Sequence, residues 1–239
     1  MNPFLHCNNN LRPLILLGSS VGMHKLIDMC RTVNIRIHGI MDSDYFGNTS
    51  EVCGIPVIAS EEELGDPMAS SYYKENFYFF CATNWLPMSD DVTTRNRNKR
   101  LHLLDLVHRH ELECISLIHP QSVVSSSSCI GKGVYIDCFV MVEGAVTIED
   151  HVSVYAYTGI GHHCVLKRNT VIQRHVCISG SVTFEENSYV GTAAKILKGG
   201  STIGAGTFVH EGITIHRGTL PGEIVSMHST NMRRVTFDS

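Results

Sequence analysis

The sequence predicts a small parallel-sheet α/β domain followed by a parallel β-helix. Two observations carry that reading. Over residues 118–196 every sixth residue is a branched aliphatic or a Phe, and before residue 118 short apolar strand patterns alternate with helical ones.

The first domain is expected over residues 13–117, behind a loose, polar, Asn-rich tail at residues 1–12. Pro13 to Leu17 has the pattern of a short buried strand and runs into the turn Gly18-Ser19-Ser20-Val21-Gly22. A helix follows from about Met23 to Val33, with Leu26, Ile27, Met29 and Cys30 on its apolar face. Ile35 to Met41 is a strand ending at Asp42, and Gly54 to Ile58 is a short edge-like piece. Glu61 to Leu64 starts another helix, Phe77 to Cys81 is a strand, and Arg95 to His110 is a helix. Cys114 to Leu117 closes the unit as its last strand. Strand and helix in that rhythm give a parallel sheet.

The second domain is expected over residues 118–239. Its repeat runs through Ile118, Val124, Ile130, Ile136, Val142, Ile148, Val154, Ile160, Leu166, Ile172, Ile178, Phe184, Val190 and Ile196. Four residues after most of these stands something small or β-branched, such as Ser122, Val134, Thr158, Cys164 or Ala194. Neither a helix nor a simple strand repeats at six, so the chain coils as hexapeptides about a column of aliphatics. Three hexads make a coil of 18 residues, and residues 18 apart stack. After Ile196 the register slips by one to Ile203, Val209 and Ile215, so residues 197–201, with Gly199-Gly200, form a bulge. The last of the five to six coils exposes an edge, which Pro221 to Ser239 is expected to cover. The pattern does not fix handedness, and crossover sterics favour right-handed connections.

Bulk composition excludes several function classes. The 239 residues are 43% apolar and 18% charged, with net charge −4, too little basic character for nucleic acid. The longest apolar stretch, Leu14 to Leu17, is far short of the ~20 residues that span a bilayer. Nine scattered cysteines without a CxxC pair fit buried thiols in a reducing compartment, and so a cytoplasmic protein.

The informative residues are those that coiling does not need. His162 stacks on Gly144 below and Gly180 above, each 18 residues away, so its ring projects beside two coils stripped of side chains. His151, His163 and His175 share one offset, but steps of 12 place them on different sides of the coil, so no metal site is expected. Lys167, Arg168, Arg174, Lys195 and Lys198 lie on coils around His162, as phosphate ligands or as solvated charges. In the first domain the Gly18–Gly22 turn can offer N–H groups to a phosphate, with Asp42 at a strand end roughly where a ribose hydroxyl is held. Small residues for turn geometry alone account for it equally well.

Taken together, the chain resembles the sugar acyltransferases of the sialic-acid O-acetyltransferase type, including the N-acetyltransferases of nucleotide-linked 4-amino sugars such as bacillosamine and perosamine. The resemblance rests on Leu16-Leu17-Gly18-Ser19-Ser20, Asp42, Leu117-Ile118-His119-Pro120, the segment from Ile160 to Val165, and the segment from Ile178 to Val182. It implies a Rossmann-like first domain, a left-handed β-helix, a homotrimer, and acetyl-CoA bound in the groove between neighbouring helices. By the same resemblance His162 is the general base, taking a proton from the attacking sugar amine or hydroxyl, with His163 beside it. Gly180, Thr192 and Glu211 serve acetyl-CoA, as does Val171, where the family often has a second histidine. Ser20, Gly22, Asp42, Ser43 and Thr83 line the nucleotide-sugar pocket. This chain departs from the family at His163, where a carboxylate is usual, at Tyr155, where Asn is frequent, and in its C-terminal segment. The motifs leave open N-acetylation, O-acetylation, and a non-catalytic trimeric scaffold.

Overall fold

The computed structural model describes residues 12–20, 22–83 and 90–226. They form two compact units that divide between Ile115 and Ser116. The expected tail therefore lies, except for Arg12, outside the described residues.

In the first unit β1 (Leu14–Leu17) leads to α1 (Met23–Thr32), β2 (Ile37–Met41), β3 (Glu51–Val52) and β4 (Ile55–Ala59). A 3₁₀ turn (Glu61–Gly65), α2 (Pro67–Asn76), β5 (Tyr78–Cys81) and α3 (Asp90–Arg109) follow. The sheet order is β3-β4-β2-β1-β5, parallel except for β3 on β4. All four residues of β1 are buried, as a central parallel strand requires, each contributing about 1.5–3 kcal/mol of apolar burial. Leu103, Leu104, Leu106 and Val107 of α3 pack in one core with Ile15, Leu17 and Phe79. The order of the parallel strands places a switch point between β1 and β5, where ligands of open α/β sheets bind.

Three local expectations need correction. Gly54 to Ile58 is not an edge, because a Cys53-Gly54 turn with both φ positive folds β3 alongside β4. Glu61–Gly65 is only a 3₁₀ turn, and the true helix starts at Pro67, capped by the Asp66 carboxylate on the N–H groups of Met68 and Ala69. Cys114 to Leu117 is not one strand: Cys114 bridges to Phe79, whereas Leu117–Ile118 pairs with Tyr135–Ile136 in the coil.

The second unit is a left-handed parallel β-helix of two-residue strands on three faces. The first face begins with Leu117–Ile118, the second with Val123–Val124 and the third with Cys129–Ile130. Partners are 18 residues apart, as in Met141 opposite Gly159, and 19 apart beyond the bulge, as in Thr183 opposite Thr202. The right-handed preference of crossovers stems from strand twist, and two-residue strands carry too little twist to impose it.

Corners are made by one residue per hexad in the left-handed region. Ten successive corners, from Phe139 to Ala193, hold a non-glycine residue with φ between 56° and 62°. The conformation costs about 1 kcal/mol or more at each. It persists because the corner N–H then reaches the carbonyl of the coil below, as His163 does on Gly144 (3.1 Å) and Ser181 on His162 (2.7 Å). Inside, the aliphatics form one core from Ile118 to Ile215. Buried hydroxyls at the second inward position are satisfied between coils: Thr158 Oγ1 donates to the Gln173 carbonyl (2.8 Å) and accepts from the Val176 N–H (3.3 Å). At the far end Ile224–Val225 pairs with Phe208–Val209 and covers one face of the open edge. The remainder of the expected cap, residues 227–239, lies outside the described residues.

Candidate functional site

The corner between the second and third faces carries His162 and His163. Gly161 lets this coil approach the next, since a Cβ there would stand 2.6 Å from the Gly180 nitrogen. His162 is fixed by its backbone at both ends: its N–H donates to Glu143 Oε2 (2.8 Å) and its carbonyl accepts from Ser181. The exposed imidazole lies against Gly180, where a Cβ would come within 2.6 Å of Cε1 and 2.7 Å of Nε2. Gly199 of the bulge stands over the Gly180 carbonyl, so two side-chain-free positions follow the ring up the corner. His162 Nδ1 and His163 Nδ1 are 3.0 Å apart, with the rings nearly perpendicular at 85°.

The Glu143 contact recurs. Asp137 accepts from the Ala156 N–H (3.2 Å) and Glu149 from the Arg168 N–H (3.0 Å), each 19 residues on. Glu143 is therefore the local copy of a staple between coils. One coil higher the stapling position is Gly161, and the Gly180 N–H has no acceptor among the described residues.

The other residues expected to serve acetyl-CoA lie elsewhere on the chain. Val171 is buried on the first face, half a coil from His162, and pairs with Ser153 and Tyr189. Thr192 and Glu211 stack on the corner between the first and second faces, the Thr192 carbonyl accepting from the Gly212 N–H (2.8 Å). His151, His163 and His175 occupy three different corners, and the described residues hold no cluster of ligands fit for a metal. The eight described cysteines are free thiols. No helix among the described residues is long and apolar enough to cross a membrane.

In the first unit the residues expected around a nucleotide sugar gather at the carboxyl ends of β1, β2 and β5. Gly18 has φ +71°, and a Cβ there would come within 2.2 Å of Thr83 Oγ1. Asp42 is fully buried, and its two oxygens are taken by Ser19 Oγ (2.7 Å), the Asp44 N–H (3.0 Å) and Lys99 Nζ. It ties the ends of β1 and β2 to α3. Ser43 Oγ donates to the buried Glu61 carboxylate (2.8 Å), and the Thr83 carbonyl accepts from Arg100 (2.8 Å). Gly22 precedes α1, whose first turn has no side-chain cap. The hydroxyls of Ser20 and Thr83 are buried and have no hydrogen-bond partner among the described residues.

Sequence reasoning missed Lys99, Asp44 and Glu61. Burial opposes the Lys99 charge, but hydrogen bonds to Asp42 and Asp44 outweigh it and raise its pKa. The Lys99 hydrogen bond in turn lowers that of Asp44. The only sequence signal was an acidic pair at 42 and 44 with a run of cations at 95, 97, 99 and 100.

No family model matches the chain. GDP-perosamine N-acetyltransferase of Escherichia coli O157:H7 is 25% identical over 182 residues, covering 69% of this chain and 80% of that protein. Among solved structures, a histidine mutant of perosamine N-acetyltransferase from Caulobacter crescentus, in complex with CoA and GDP-perosamine, superposes with a TM-score of 0.77 at 21% identity, covering 92% of this chain and 96% of that one. The acetyltransferase domain of PglB from Neisseria gonorrhoeae FA1090, with acetyl coenzyme A, gives 0.76 at 21% identity over 94% of this chain and all of that domain (100%). WeeI from Acinetobacter baumannii AYE gives 0.74 at 16% identity, over 92% and 99% of the two chains. The resemblance read from the motifs is thereby borne out: this chain has the two-part fold of the nucleotide-amino-sugar N-acetyltransferases.

Proposed function

We propose that this protein is an acetyl-CoA-dependent N-acetyltransferase acting on a nucleotide-linked 4-amino sugar in surface-glycan synthesis, as a cytoplasmic homotrimer. One observation carries the proposal: an exposed imidazole lies on a bare glycine whose N–H is left open. His162 takes the proton of the sugar amine as the amine attacks the thioester, a role suited to an imidazole, whose unperturbed pKa is about 6.5. The Gly180 N–H faces the carbonyl oxygen on which charge develops. Acetyl-CoA supplies the acyl group, and His163 stands next to the base.

Val171, Thr192 and Glu211 are away from His162 on the same chain, so their part in holding acetyl-CoA falls to a neighbouring copy. The second face supports such a neighbour: Val123 (67% exposed), Met141 (52%), Phe139 (47%) and Tyr157 (54%) present apolar side chains on it and its adjoining corner. The nucleotide sugar is assigned to the first unit, at the switch point, on the unpaired hydroxyls of Ser20 and Thr83, with Gly22, Ser43 and, from behind, Asp42 shaping the pocket.

The test is CoA release from acetyl-CoA with UDP-, dTDP- and GDP-linked 4-amino sugars and their hydroxyl counterparts. Release is expected with an amino sugar, reduced ~10²- to 10⁴-fold in His162→Ala. Full activity in that variant, or no release with any acceptor, refutes the assignment.

A further inference from the structure

We infer that His163 is a positioning residue whose Nδ1 accepts a hydrogen bond from His162 Nδ1–H, leaving Nε2 of His162 as the free basic nitrogen. The inference rests on the reading of His162 as the base. An Nδ1-to-Nδ1 contact of 3.0 Å has room for one proton. If His163 donates it, neutral His162 carries its own hydrogen on Nε2 and cannot accept the amine proton. If His162 donates it, Nε2 keeps its lone pair, and the imidazolium formed on protonation still has an acceptor beside it. Only the second arrangement yields a base.

The surroundings leave this task to His163. Glu143 Oε2, on the coil before, holds the His162 backbone N–H, as Asp137 and Glu149 hold those of Ala156 and Arg168, while the partner at His162 Nδ1 is His163. Cys164, on the pair's own coil, is buried in the core with its thiol directed to the Ser179 carbonyl (3.2 Å). Ser179, Gly180 and Ser181 of the coil after bring no ionisable group. His163 is itself a corner residue with φ 56°, its N–H bound to the coil below, so its backbone is held while its ring meets His162 nearly at a right angle. A neutral acceptor orients the base without adding negative charge. A carboxylate in its place would favour imidazolium and so remove the free base at a higher pH.

Two measurements test this. In the first, long-range ¹⁵N–¹H correlation spectra of the full chain identify the tautomer of each ring, and they need no activity. Neutral His162 is expected to carry its proton on Nδ1, and a proton on Nε2 overturns the inference. In the second, the pH profile of kcat and KM is compared across variants that all suit a positive φ. His163→Gly relieves the corner, so its thermal midpoint is expected not to fall, while kcat drops about tenfold or more with KM for acetyl-CoA unchanged. His163→Asn, which keeps an acceptor, recovers most of that loss. His163→Asp moves the acidic limb of kcat/KM to higher pH by about one pH unit. A His163→Gly enzyme with wild-type kcat and pH profile overturns the inference alone, provided His162→Ala is inactive. An active His162→Ala removes the parent assignment instead.

Discussion

Two corners of the β-helix have the same backbone and opposite contents. On the corner between the first and second faces, Phe139, Tyr157 and His175 lie 18 residues apart and stack ring on ring, with centroids 5.1 and 5.0 Å apart. On the corner between the second and third faces, the left-handed position carries Ala145, His163 and Ser181, and the row beside it runs from His162 to Gly180 and Gly199. Both use a left-handed residue every coil and both keep the backbone ladder continuous. The candidate site lies where the coils above one ring carry no side chain, whereas the other corner carries a continuous stack. Filling a corner adds aromatic contact of about 0.5–1.5 kcal/mol per pair; emptying it gives that up and leaves room for a substrate.

The sharpest way to break the comparison is to refill the empty corner. Gly180→Ala places a Cβ against the His162 ring, whose exposed tip swings away cheaply. Displacing a catalytic group by about 1 Å is expected to cost ~10²-fold in kcat/KM, with the thermal midpoint nearly unchanged. Gly161→Ala makes the matched control, because its Cβ would meet the Gly180 nitrogen at 2.6 Å, and backbone cannot step aside. That variant should lose both activity and stability in thermal unfolding. Equal behaviour of the two variants would show that the corner is simply close-packed.

A smaller effect is expected from the filled corner. Tyr157→Ala removes the middle ring of the stack, and with both stacked contacts half-exposed it should cost about 1 kcal/mol. If the adjoining second face meets a neighbouring copy, as proposed, Met141→Asp should be the more damaging change. It should lower the molar mass seen by light scattering and reduce CoA release together. A monodisperse trimer in that variant would place the contact on another face.

The two units also differ in how much of them the sequence discloses. A six-residue period is a long-range statement about geometry, so the coil, the slip at residues 197–201 and the stacking of His162 on Gly180 all follow from counting. The first unit has no such period. The start of α2 is hard to place because Ser70 is its one buried residue, while Met68 and Tyr72 face outward. The capping pair Asp66-Pro67 was the better signal. The Lys99 ion pairs join residues 57 and 55 apart, and at that distance an acidic pair and a run of cations do not say which charges meet. Leu117 has the apolar character of a strand in either unit, and only its pairing with Tyr135 assigns it to the coil.

The smallest effect lies where the repeat ends and neither corner device continues. Arg217 pairs with the buried carboxylate of Glu223, which also accepts the Leu220 N–H (2.9 Å) and so closes the final turn onto the last coils. The Arg217 hydrogen bond, against the opposing effect of burial, lowers the Glu223 pKa below that of an ordinary glutamate. Its contribution is therefore complete above the unfolded-state pKa of about 4.3 and disappears as pH falls through the lower folded-state value. Because Arg217 is more than half exposed, the pair is worth about 1 kcal/mol at most, a fall of roughly 2–4 °C in Tm for Glu223→Gln at pH 7. At pH 3 the gap between variant and wild type should narrow. A gap that stays constant from pH 7 to pH 3 would mean that Glu223 contributes independently of its charge, and no gap at pH 7 that the Phe208–Ile224 strand pairing holds the last coil without it.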